Sequence, residues 1–335
     1  MPRHIARPCA AAILLPTLAF ADVPTVATDI APVHSLVAQV MGELGEPALT
    51  VPPGASPHSY AMRPSEARAL SDADVVVWMG EALTPWLEDP IATLAEGADV
   101  LELLDVPGSV IHEFRETAIF AGGDEHTHDD HDDGHEAGHE HDEHEGTGDD
   151  GHDDHDGNDH HDHAHEGLDP HAWLDPENAR VWLAAIAEAL SVADPDNAGT
   201  YESNARSAQA RLDKMEAEIA SDLSPIRNIR YVVFHDAYQY FERRFGIQAV
   251  GAITLSDAAG PSAARIAELR DEVASRSIDC VVSQPQFNPD LVQAVVKNGT
   301  AQTTVIDPIG VGLPRGAGLY EAMMRSMASG LVACQ

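Results

Sequence analysis

Residues 196–223 read DNAGTYESNARSAQARLDKMEAEIASDL, and the architecture of the chain turns on them. Helical periodicity runs through about twenty-five of these residues, with mixed charge and few aromatics. At 1.5 Å per residue such a helix reaches about 40 Å, long enough to be a rigid strut between two halves of a molecule. The alternative is one long surface helix on a single domain.

On both sides of this run, short β-branched stretches recur, each followed by a helical pattern. VPTVATDI, ALTVPP and ADVVVWMG precede it; RYVVFHD, IDCVVSQP and TTVIDPIG follow. Continuous apolar strands alternating with amphipathic helices predict parallel sheets covered by helices. PSEARALSDA reads as a helix opened by Pro64-Ser65. DPENARVWLAAIAEALSVADP reads as one that starts at Asp175-Pro176 and stops before Pro195. At 335 residues the chain has room for two domains or one large α/β unit. The expected fold class is α/β, with two parallel-sheet lobes (22–194 and 224–335) joined by one long rigid helix (195–223).

The formal charge of −37 is unevenly placed. Residues 124–166 hold nineteen carboxylates, thirteen histidines and no lysine or arginine, and without them the charge is −18. Nucleic acid and anionic membrane surfaces are poor partners for such a chain, and divalent cations are good ones. The low-complexity stretch 122–167 has almost no apolar residues to offset its ordering entropy, so it is expected to be a disordered loop. Its histidines, His126, His128, His131, His135, His139, His141, His144, His152, His155, His160, His161, His163 and His165, form a candidate weak, auxiliary metal-binding set.

At the N-terminus, Arg3 and Arg7 precede the apolar AAAILLPTLAF, and a small-x-small site ends at Ala21. This pattern predicts a cleavable signal peptide over 1–21 and a soluble, periplasm-like destination. Cleavage removes Cys9 and leaves Cys280 and Cys334, which in an oxidising compartment most simply pair. The alternative is two unpaired core thiols.

Outside the loop, the mature chain keeps His34, His58, His112, His171 and His235. His235 stands directly after the strand RYVVF, His58 in the turn PPGASPHSY after ALTV, and His171 just ahead of the helix opened at Asp175. Asp307 ends the strand TTVI. Ligands of open α/β sheets bind at the carboxyl ends of strands. Three imidazoles and a carboxylate make a tetrahedral nitrogen/oxygen set that suits zinc. Capping or hydrogen bonding is the plainer role for a strand-end histidine, and position alone does not choose between the two. His34 and His112 receive no role.

The motifs ASPHSY, DPHAWLDPENA, VVFHDAYQYF, SQPQF and VIDPIG, in this order over essentially the whole mature chain, resemble those of the zinc-specific solute-binding proteins of ABC transporters, the ZnuA type. The resemblance implies two α/β lobes joined by a rigid helix, Zn2+ bound in the cleft between them, and delivery to a membrane permease served by a separate ATPase chain. It implies metal-binding roles for His58, His171 and His235, with His235 favouring zinc over manganese. Asp307 is the expected fourth ligand, with water as the alternative. A His-rich loop at 122–167 and a C-terminal Cys280–Cys334 disulfide also fit the zinc branch. The expected protein is a monomer and not an enzyme. A zinc hydrolase is the weaker reading, because H-E-x-x-H is absent and only Asp236 adjoins a candidate ligand as a nominal base. A periplasmic metal buffer acting mainly through the loop is the remaining alternative.

Overall fold

Among the described residues, eight short strands assemble into two separate parallel sheets of identical order. The first holds β1 (Val26–Thr28), β2 (Ala48–Leu49), β3 (Val75–Trp78) and β4 (Asp99–Glu102), arranged β2-β1-β3-β4. The second holds β5 (Tyr231–His235), β6 (Gly251–Thr254), β7 (Cys280–Ser283) and β8 (Gln302–Val305), arranged β6-β5-β7-β8. Every pairing is parallel, so each half needs crossover helices, as the α/β expectation requires. The computed structural model describes residues 23–115, 117, 167–254, 262–275, 277–297 and 299–335. The signal peptide expected at 1–21, the disorder expected of the loop up to Glu166, and its thirteen histidines lie outside the described residues.

Two of these strands were absent from the sequence reading. β4, DVLE, is an edge strand with two charged residues among four, and its first two residues are exposed. β6, GAIT, also lies at an edge and opens on glycine. Neither displays the β-branched run that marks the buried β1, β3 and β5.

The first half carries α1 (Ala31–Met41), α2 (Pro64–Ser71), α3 (Pro85–Leu94) and α4 (Pro176–Ala193); α5 (Ala198–Leu223) follows. α4 starts where its sequence says: Asp175 is the N-cap, accepting from the Glu177 N–H at 2.9 Å, and Pro176 takes the first helical position. α6 (Gln239–Phe245), α7 (Ala263–Ser275), α8 (Pro289–Val296) and α9 (Leu319–Val332) complete the second half.

α5 buries Tyr201, Ala205, Ala208, Leu212, Met215, Ile219 and Leu223. Steps of four and three place them on one stripe, which is why a helix with so polar a sequence is held by packing. It packs against α1 and α4 from the first half and α9 from the chain's end, and is a central spine instead of a surface helix on one domain. Arg211 on α5 reaches Glu321 on α9 at 2.9 Å, and Glu218 pairs with Arg325.

Side-chain alternation divides each sheet between two cores. Val75 and Val77, like Tyr231 and Val233, face a common core that runs through α5 and both halves. Val76 and Trp78 face a separate cluster with Leu87 and Ile91; Val232 and Phe234 face another with Leu269 and Val292. Cys280 and Cys334 form a disulfide, with Cα atoms 5.6 Å apart, that ties the start of β7 to the end of α9.

Candidate metal centre

Past β2 the chain enters a short 3-10 turn, Pro57–Ser59, that carries half-buried His58. The Ser56 hydroxyl accepts from the His58 N–H at 3.3 Å, and the Trp86 indole donates to the Pro57 carbonyl at 2.7 Å. His171 caps a second such turn, Ala172–Leu174, and is buried. Trp173 within that turn donates to the Pro308 carbonyl of the second half at 2.7 Å, which ties the turn across the halves. His235 is the last residue of β5 and is buried.

The three rings meet between the halves. Their centroids lie 5.4 Å (His58–His171), 6.0 Å (His58–His235) and 5.1 Å (His171–His235) apart. One nitrogen from each ring lies within 4.8 Å of the others, and among the described residues this is the group with metal-ligand geometry. The cavity around them measures about 290 Å³ and is walled by Trp173, Gln284, Gln286, Phe287, Pro308 and Ile309 among others. A larger cavity of about 770 Å³ opens at the opposite, amino ends of β5, β7 and β8, beside the disulfide, and contains none of these histidines.

Neighbouring side chains orient the imidazoles. The Asp169 Oδ1 accepts from the His171 backbone N–H at 3.0 Å and lies 2.7 Å from its Nδ1. A carboxylate acceptor there keeps the proton on Nδ1 and leaves the Nε2 lone pair for a metal. Gln239 on α6 donates to the other Asp169 oxygen at 3.0 Å. The Gln284 amide donates to the Tyr238 hydroxyl at 2.9 Å, and its side chain also bonds His235. Burial holds the His235 pKa well below the ordinary imidazole value, and the facing His171 and His58 add to the depression; the Gln284 bond opposes it. His235 is therefore a neutral donor at physiological pH.

Asp307 is not gathered with the three histidines. Its Oδ1 accepts from the N–H groups of Ile309 and Gly310 at 3.1 and 2.9 Å, and its Oδ2 from Gly312 at 3.4 Å. These bonds shape the loop that presents Pro308 and Ile309 to the cavity. Gly310 at φ +75° makes the turn possible. Asp236, the nominal base, is likewise committed: both its oxygens bond Arg115, at 2.5 and 3.0 Å, and Arg115 also reaches Glu242 at 2.7 Å. Burial raises both carboxyl pKa values against the opposing pull of Arg115. His34 is enclosed in α1, and His112 packs on Tyr240 at 4.7 Å.

Asp169, Gln239 and Gln284 escaped the sequence reading. Asp169, Gln239 and Gln284 lie inside the motifs DPHAWLDPENA, VVFHDAYQYF and SQPQF, and the D-P-H spacing is a usable signal for a carboxylate behind a histidine ligand. Gln239 joins the chain of hydrogen bonds only through the tertiary fold.

The family model described as "ZnuA: Zinc-uptake complex component A periplasmic" matches residues 26–334. The high-affinity zinc uptake system protein ZnuA of Paracoccus denitrificans (strain Pd 1222) is 49% identical over 315 residues, covering 94% of this chain and 92% of its own. Its namesake from Brucella abortus (strain 2308) is 46% identical over 309 residues, covering 92% and 91%. Among solved structures, a ZnuA deletion mutant with zinc bound superposes with a TM-score of 0.69 at 20% identity, over 93% of this chain and 97% of that one. A fold with two like-ordered sheets, a histidine trio between them and this depth of likeness have one reading: the chain belongs to the ZnuA family of periplasmic zinc-uptake components.

Proposed function

We propose that this chain is a periplasmic receptor that binds Zn2+ and delivers it to an ABC-type permease in the inner membrane, driven by a separate ATPase chain. It is exported through the leader at 1–21 and acts as a monomer. The observation that carries the reading is the convergence of His58, His171 and His235, one nitrogen each, to within 4.8 Å. Tetrahedral nitrogens at zinc–ligand distances of 2.0–2.1 Å stand about 3.3 Å apart, so a small inward movement of the rings completes the coordination. Water takes the fourth position, since Asp307 is engaged with its own loop.

His58 and His171 belong to the first half and His235 to the second. Prying the halves apart removes a nitrogen from the ion at once, and this is how permease contact releases the cargo. The protein is a carrier and not an enzyme, as the commitment of Asp236 to Arg115 supports. The loop histidines bind zinc weakly and, being tethered, raise its local concentration near the cleft.

The test is competitive zinc titration of the chain from Asp22, of a deletion of 123–166, and of that deletion carrying His235→Ala. One tight equivalent survives the loop deletion and disappears with His235→Ala. Loss of tight binding on deleting the loop would overturn the receptor reading in favour of a loop-based metal buffer.

A further inference from the structure

Gln286 lines the cavity that holds the three histidines, and its amide Oε1 is buried without a hydrogen-bond partner. Buried acceptors in native proteins are nearly always paired, because an unpaired one has surrendered its water and received nothing for it. Gln284, two residues earlier on the same turn, is paired with Tyr238 and His235. The turn itself is held: the Phe287 N–H donates to the Gln284 carbonyl at 3.2 Å, and the Phe287 ring stacks on Phe234 with centroids 4.4 Å apart. The Gln286 side chain thus stands on a fixed support just past the carboxyl end of β7, lining the same cavity as the three histidines.

Three imidazoles leave a tetrahedral ion one position short, and the Asp307 oxygens are occupied elsewhere. Resting on the zinc reading above, we propose that Gln286 is a positioning residue whose Oε1 accepts a hydrogen bond from the zinc-bound water at the fourth position. Outer acceptors of this kind orient what the metal holds. A neutral amide does so without adding negative charge, so the ion stays bound by three neutral nitrogens and water and remains releasable. A carboxylate at the same place would tighten the grip on the cargo.

The experiment uses the full mature chain, with Gln286→Leu and Gln286→Glu read by chelator competition for the tight zinc equivalent and by zinc-free thermal melting. Gln286→Leu, similar in volume but without an acceptor, weakens zinc binding about 10- to 100-fold. The same change raises the zinc-free melting midpoint, because the orphaned acceptor is gone. Gln286→Glu, which keeps the acceptor, binds zinc at least as tightly as the parent. Wild-type affinity in Gln286→Leu would overturn the proposal, as would equal weakening in both variants with lowered midpoints, the signature of a packing role. His235→Ala, run alongside, separates the two readings: it abolishes the tight equivalent if the histidine site is real, whatever Gln286 does.

Discussion

Asp29 shows what one buried side chain imposes on the rest. It follows β1, is fully enclosed, and accepts from the N–H groups of Ile30 and Met79 at 2.7 Å each. Burial raises its pKa from 3.8 to about 7 despite those bonds. The folded state therefore binds this proton more tightly than the unfolded chain. Asp29's contribution to stability is complete below about pH 4, falls as pH rises toward 7, and is level above that. A shift of that size corresponds to about 4 kcal/mol at 1.36 kcal/mol per unit. Urea denaturation of Asp29→Asn between pH 4 and 7 is expected to show a shallower loss of stability with rising pH than the parent. Identical slopes would mean that Asp29 is ionised in the folded protein throughout. Nearer the site the carboxylates are matched to side-chain donors, Asp169 to His171 and Gln239 and Asp236 to Arg115.

At the scale of elements, α5 decides how the halves are held. Its charged face was plain in the sequence, but a helix of mean polar character is stable only because its narrow apolar stripe is covered along its whole length. Met215, fully buried in the common core, is one of the side chains that covering protects. Met215→Ala is expected to lower zinc-free stability by about 2–5 kcal/mol. Glu202→Ala, which removes an exposed pair with Arg206 on the same helix, is expected to cost under about 0.5 kcal/mol. Equal effects in urea titrations would refute the role of α5 as a packed spine. Six of the strands were legible as apolar or β-branched runs, the edge strands β2 and β8 among them, whereas β4, half of it charged, and β6, led by glycine, were not.

Across the whole molecule, the cavity of the three histidines and the disulfide sit at opposite ends of the second sheet. Cys280 opens β7, while Gln284 and Gln286 follow its last residue. The bridge spans a sequence separation of 54, for which loop-closure entropy gives a contribution of about 4 kcal/mol. The double variant Cys280→Ala, Cys334→Ala is thus expected to lose up to that much stability while keeping the tight zinc affinity of the parent. A parallel loss of affinity would show that the bridge shapes the cleft. Several contacts between the halves lie at the other end, near the histidine trio. Trp173 reaches Pro308, Tyr320 reaches the Trp173 carbonyl at 2.7 Å, and Arg244 holds Asp175 at 2.6 and 2.9 Å. These bonds couple the His171 turn to the second half, so the geometry of the trio depends on how the halves meet.

By itself the sequence determined the alternation of strand and helix and the run of the long helix, and it put forward the pairing of Cys280 with Cys334 and the histidines at 58, 171 and 235 with alternatives still open. Each is a local pattern: apolar periodicity, a capping Asp-Pro, a pair of cysteines, a histidine at a strand end. Tertiary structure alone decided that residues 58, 171 and 235 share one cavity and that Asp307 turns its oxygens onto its own loop. It also set Gln286 beside the trio with an unpaired oxygen. The physical reason is that a carboxylate's or an amide's role depends on which donors come within about 3 Å of it. Those donors are chosen by loops and halves far apart in the chain.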